Sequence, residues 1–464
     1  MDLSQTTATA LLAALSARRL LAADLMRETL DRIAAVNPPL NAIVALRDEE
    51  ALMAEARALD AGPVTGPLHG LPIAVKDLVN VAGVVSSQGS PLYRDHVPEQ
   101  DDLIAARMRA AGAILIGKTN TPEFGLGSHT FNPVYGATRN PYDRSKTCGG
   151  SSGGAAVALA TGMVALADGS DMMGSLRNPA AWNNVYGFRP SWGRVPPEPV
   201  GDVFLHQLST LGPMARTTED LGVLLDVISG PNPRHPATPH NQPVSPVQAA
   251  DLSGMRIGWL GDWGGAFPFE DGILDLCQDA LSVFVQLGAQ VEAVAPPFDA
   301  ERIFESWSTL RSWSVAASLA PQSEQRAQLK DTAQWELDQG QDLTAMQVHQ
   351  ASVVRSDWFR RAAELFEGFD ALILPSTQVW PFELELPYPN EIAGKSMDTY
   401  HRWMQVMIPV SLIGLPCLSV PVGFGAGGLP MGMQVFGPRG ADASVLSIGA
   451  AYHDATGWPQ NRPA

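Results

Sequence analysis

Two glycine-flanked serines and one lysine are the residues of this chain whose types and spacing could do chemistry. Ser151 sits in GGSSGG and Ser175 in MMGSLR, 24 positions further on, while Lys76 lies 75 positions before Ser151 in GLPIAVKD. A serine hydroxyl is a weak nucleophile until a base takes its proton, and glycines let backbone N–H groups approach a developing oxyanion. Two serines and a lysine therefore point to acyl transfer without histidine. The lysine must be uncharged when it accepts a proton. Burial disfavours the ammonium form and can lower a lysine pKa by roughly 3–5 units. Pro72, Ile73, Ala74 and Val75 offer apolar surroundings for it. Asp77 would oppose the shift, but neighbouring strand residues face opposite sides, so it is expected to point away.

Two other patterns compete for these residues. GGSSGG satisfies G-x-S-x-G twice, on Ser151 and on Ser152, which in an α/β-hydrolase needs a strand just before it and an acid and a histidine downstream. The preceding NPYDRSKTC is polar and turn-rich, and His401 and His453 have no distinctive context. Changing either histidine is accordingly expected to do little. GAILIGKT, residues 112–119, fits the phosphate-loop expression. Its four intervening residues are apolar and strand-like where that loop needs exposed N–H groups.

The elements that must position the three residues alternate between helical patterns and short apolar runs. Residues 7–17, 22–35, 48–61, 101–111, 153–162, 218–229 and 273–287 read as helices; 73–75, 113–116, 164–166, 255–260, 371–374, 417–420 and 432–436 read as strands. The segment 230–253 is proline-rich and aperiodic, a linker, and 301–366 is mostly helical and placed to cover a cleft. This alternation argues for a mixed α/β sheet layered by helices. The chain has 31 Lys+Arg against 48 Asp+Glu, a formal charge of −17, which repels phosphate backbones and anionic membranes. Nucleic acid and membrane are thus unexpected partners. No run reaches the roughly 18–20 apolar residues of a membrane span. Three scattered cysteines give neither a disulfide framework nor a zinc spacing, which fits the cytoplasm, and no cofactor or metal fingerprint is present.

GLPIAVKD, GKTNTPEFG, YGATRNPYD, GGSSGGAA, GSDMMGSLRNPAA, FDALILPS, IGLPCLSVPVGF and GLPMGMQVFGP follow one another in an order and spacing that resemble the amidase signature family over nearly the whole chain. The resemblance implies an α/β fold, a large mixed β-sheet core surrounded by α-helices, in one domain over 1–464. N-terminal helices would occupy about 7–61 and the catalytic core about 66–229. It also implies hydrolysis of linear C–N (amide) bonds through a serine–cis-serine–lysine triad and a covalent acyl-enzyme. Carried over, Ser175 would be the nucleophile, Ser151, following a cis peptide to Gly150, the bridge, and Lys76 the base. Backbone N–H groups of Met172, Met173, Gly174 and Ser175 would form the oxyanion hole. Ser152, Asp171 and Arg177 would support the loops, with Thr119, Asn120 and Asn132 doing similar work, and Ser128, Asn178 and Trp182 would touch substrate.

Departures from the family pattern bear on substrate choice. Met172 and Met173 stand where many relatives have threonine and glycine, so a positive φ at 173 would store strain. With Trp307 and Trp313 as further lining, they suggest hydrophobic aryl or alkyl amides, with carbamates and nylon-type oligomers as further candidates. The partners expected are a small-molecule amide and water, acting on a monomer or homodimer. The alternatives are membership of a glutamine-dependent amidotransferase complex, as one of its subunits, and a Ser-His-Asp esterase of α/β-hydrolase type.

Overall fold

The computed structural model describes residues 5–239 and 242–463. Three strands form a small sheet: β1 (Ile43–Val44), β2 (Pro72–Lys76) and β3 (Ile114–Thr119), in the order β1-β3-β2. β2 runs parallel to β3, and β1 antiparallel to it. Every residue of β2 and β3 is buried, as expected of apolar runs covered on both faces.

A second, eight-stranded sheet is formed by β4 (Leu166–Asp171), β5 (Tyr186–Arg189), β6 (Thr210–Ala215), β7 (Arg256–Trp259), β8 (Gln290–Ala293), β9 (Ala371–Pro375), β10 (Cys417–Phe424) and β11 (Pro430–Phe436). Their spatial order is β8-β7-β9-β11-β10-β5-β6-β4. β7 pairs in parallel with β8 and with β9, and the other pairs are antiparallel, so the sheet is mixed. The parallel pair β7–β8 requires a crossover, which the helix Ile273–Gln286 supplies. Helices surround the sheet, as expected of an α/β fold.

Between the two sheets runs the helix Gly153–Ala160, in which every residue is buried. A Cβ on Gly154 would lie 2.3 Å from the Asn120 nitrogen and 2.6 Å from the Ala42 oxygen, so only glycine lets the helix sit this close.

The structure corrects several expected boundaries. The strand read at 164–166 begins where it was expected to end and continues through the polar ADGSD to Asp171. β5 and β6 were not legible at all. Both are short and carry glycine, and β6 contains Pro213, tolerated because the β5–β6 pairing covers only Ala215 and Met214. The phosphate-loop match is β3, with Lys118 buried and its ammonium donating to the Val79 carbonyl. Residues 301–366 resolve into the helices Ala300–Leu319, Asp331–Gln341 and Ala345–Leu365, with a 3-10 turn at Ala320–Gln328. The expected linker, 230–253, contains neither helix nor strand among its described residues, 240 and 241 lying outside them. No helix among the described residues is long and apolar enough to cross a membrane.

Candidate active site

Lys76 ends β2 and is 1% exposed. Its Nζ lies 2.8 Å from Ser151 Oγ, 2.8 Å from Ser152 Oγ and 3.0 Å from Ser170 Oγ. Its backbone N–H donates to Asp168 Oδ1 at 2.9 Å, tying the small sheet to β4. Burial pushes the lysine down to about 7, against the opposing pull of Asp168 and Asp171. Asp77 turns to other partners: it accepts from the backbone N–H and hydroxyl of Ser87 and lies 3.9 Å from Lys118 Nζ. Ser170 was missed by sequence reasoning. The available signal was its place two residues after Asp168, since strand alternation turns both toward Lys76 once ADGSD is recognised as a strand.

The two serine loops are joined directly. The Gly150–Ser151 peptide is cis, the Gly150 N–H donates to Asn178 Oδ1 at 3.1 Å, and the Ser152 N–H donates to the Ser175 carbonyl at 3.2 Å. Asp171 organises the loop that carries Ser175. It accepts from Gly174 N at 2.8 Å, Leu176 N at 3.2 Å, Arg177 Nε and Nη2 at 2.9 Å each, and Arg189 Nη1 at 3.0 Å. Burial alone would raise this carboxyl, but Arg177 and Arg189 outweigh it and hold Asp171 far below the usual carboxylate range. Arg177 also reaches Ser411 and Gln434, fastening the loop to the C-terminal half of the chain.

Two features of this loop bear on its expected role. The Gly174 N–H, one of the expected oxyanion donors, donates to Asp171 Oδ1 at 2.8 Å. The N–H groups of Met172, Met173 and Ser175 have no hydrogen-bond acceptor among the described residues and are free to serve. The positive φ falls on Gly174 (88°), not on Met173, so methionine is accommodated there without that strain. A Cβ on Gly174 would also meet the Met407 side chain at 2.7 Å.

Ser151, Ser170 and Ser175 open onto one cavity of about 150 Å³, together with Ser128. Ser175 is 8% exposed and Ser151 2%. Apolar walls come from Met172, Met173, Leu126, Met404 and, on the helix Ala300–Leu319, Val315 and Leu319. Beyond the segment 126–128 lies a larger cavity of about 540 Å³, flanked by Trp335, Tyr388, Tyr400 and Trp403.

Several expected substrate contacts lie elsewhere. Asn178 does not line the catalytic cavity; its carboxamide oxygen is engaged by Gly150. Trp182 is fully buried, stacks on Trp403 at 6.1 Å and donates to Thr377 Oγ1, because its size suits the core better than a small cleft. Trp307 is core as well, and Trp313 lines a separate groove with Leu205 and His349. His401 contacts Glu336 and His453 contacts Tyr186. Among the described residues neither histidine is hydrogen-bonded to a serine of the cavity, and the residues directly before GGSSGG form no strand, so the geometry speaks against the esterase alternative. No three metal-binding side chains converge among the described residues.

Residues 24–446 match the family model described as Amidase. That coverage decides the assignment. The chain belongs to the amidase family. Among its amidase relatives, the acylamidase of Rhodococcus erythropolis is 31% identical over 99% of this chain and 97% of the relative. A glutamyl-tRNA(Gln) amidotransferase component from Acidothermus cellulolyticus is 34% identical over 98% and 96%. A solved bacterial aryl acylamidase of the amidase signature family superposes with a TM-score of 0.92 at 30% identity, covering 99% of each chain. The protein is an amidohydrolase acting on C–N bonds of linear amides.

Proposed function

We propose that this amidase works through Ser175, Ser151 and Lys76 and prefers hydrophobic aryl or alkyl amides. One observation carries the reading: a buried lysine held near neutrality, 2.8 Å from the hydroxyl of Ser151, in the cavity onto which Ser175 opens. Ser175 Oγ attacks the amide carbonyl, passing its proton to Ser151 Oγ as Ser151 passes its own to neutral Lys76. The oxyanion forms against the N–H groups of Met172, Met173 and Ser175, each such donor being worth about 3 kcal/mol in comparable sites. On collapse the C–N bond breaks and the nitrogen takes a proton from Ser151, which Lys76 replenishes. Water then attacks the acyl-serine by the same relay and releases the acid.

The apolar walls from Met172, Met173, Leu126, Met404, Val315 and Leu319 favour the aryl or alkyl amides of an acylamidase over the glutamine of an amidotransferase component. Quenched-flow mass spectrometry with 4-nitroacetanilide tests the reading. An acetyl adduct on the peptide containing Ser175 is expected, absent in Ser175→Ala. An adduct elsewhere, or turnover by Ser175→Ala, overturns it.

A further inference from the structure

Among the described residues, Arg311 is the only charged side chain lining the catalytic cavity, and the mechanism does not use it. It projects from the helix Ala300–Leu319 and is 5% exposed. Nε donates to Glu336 Oε1 at 2.6 Å and Nη2 to the Tyr400 hydroxyl at 2.9 Å. Nη1 has only the Met172 sulfur, at 3.1 Å, and no oxygen partner among the described residues. A thioether is a weak acceptor, and buried N–H groups, charged ones above all, are costly to leave without a good one.

The cluster behind Arg311 holds the guanidinium in place rather than competing for Nη1. Glu336 also accepts from Tyr400 at 2.5 Å, Ser312 at 2.8 Å and His401 Nε2 at 3.1 Å, so both its oxygens are engaged. Burial alone would raise this carboxyl, yet Arg311 and its neighbours keep it ionised. A fixed cation thus presents one under-used N–H edge to a cavity that is otherwise apolar or hydroxylic. Such a group recognises an acceptor oxygen on the ligand, since a preorganised donor costs little to bind.

We infer that Arg311 reads a second oxygen on the substrate, beyond the scissile carbonyl, so that preferred substrates are amides also bearing a carboxylate, ester or further amide carbonyl. This rests on the reading that the cavity holds the substrate. An anionic and a neutral oxygen share this chemistry, and the probes separate them.

Steady-state kinetics on two matched trios tests it: acetanilide, 4-acetamidobenzoate and its methyl ester, and hexananilide, the monoanilide of adipic acid and its methyl ester. In the wild type at least one oxygen-bearing probe should exceed its parent in kcat/KM by about 10–100-fold, mainly through KM. Preference for the carboxylate alone marks an anion; preference for the ester as well marks any acceptor. The preference should disappear in Arg311→Lys, and in Arg311→Gln with Glu336→Gln, where no buried charge is stranded, while the parent anilide is still hydrolysed. Equal or better turnover of both parents by the wild type overturns the inference, as does a preference that survives both variants. Failure of the catalytic reading looks different: Ser175→Ala would then still hydrolyse every probe.

Discussion

An ammonium buried among three hydroxyls, with no carboxylate of the described residues within hydrogen-bonding reach of its nitrogen, is poorly compensated for leaving water. That imbalance places Lys76 near 7 and makes it a usable base. If the proposed relay holds, the neutral form is the active one, and kcat/KM on a simple anilide should rise with pH through about 7 and level off above it. Asp168 favours the ammonium, so Asp168→Asn should move the midpoint of that rise to lower pH; a pH–rate profile of both proteins checks the sign. Lys76→Ala should lower kcat/KM by about 10²–10⁴-fold, the usual worth of a positioned base, with the same profile flattened. The lysine and both serines stand out in the sequence because each carries its proposed chemistry in its own side chain. Ser170 does not, since its place beside Asp168 becomes visible only once the polar ADGSD is recognised as a strand packed against Lys76.

At the scale of elements, the helices Ala300–Leu319 and Asp331–Gln341 are pinned together by Glu336, which no feature of its own segment announces. Removing it leaves the Arg311 charge buried and unpaired, so Glu336→Ala should lose roughly 3–5 kcal/mol in urea denaturation. Its folded pKa is depressed below the unfolded value. The stabilisation is therefore complete above about 4.3 and lost as pH falls through the folded value. His401, expected from sequence to be dispensable, packs 5.2 Å from the ring of Trp307 and 5.3 Å from that of Trp335 and touches Glu336. His401→Ala should consequently lower the melting temperature while leaving the pH profile of activity unchanged. Strands of apolar residues were readable from their own pattern, whereas β5 and β6 owe their conformation to the strands on either side.

Across the whole molecule, the balance of 48 carboxylates to 31 basic side chains gives a net negative charge, which repels phosphate backbones. The purified chain should release aniline from acetanilide with no partner protein and hydrolyse glutamine far more slowly. A strict need for a second protein, or the reverse preference, would restore the amidotransferase reading. The catalytic cavity draws its walls from distant stretches, the segments 124–128 and 172–175, the helix Ala300–Leu319 and Met404, so its size and polarity exist only in the folded chain.

Local composition by itself determined the fold class, the short apolar strands and the Lys76, Ser151 and Ser175 motifs, because strand periodicity and glycine-rich turns are properties of neighbouring residues. Tertiary structure alone decided which hydroxyls surround the lysine, that the Gly174 N–H is taken by Asp171, and that Trp182 belongs to the core. Those outcomes depend on desolvation and hydrogen-bond competition among groups far apart in the chain, and neither has a signature in any single stretch of it.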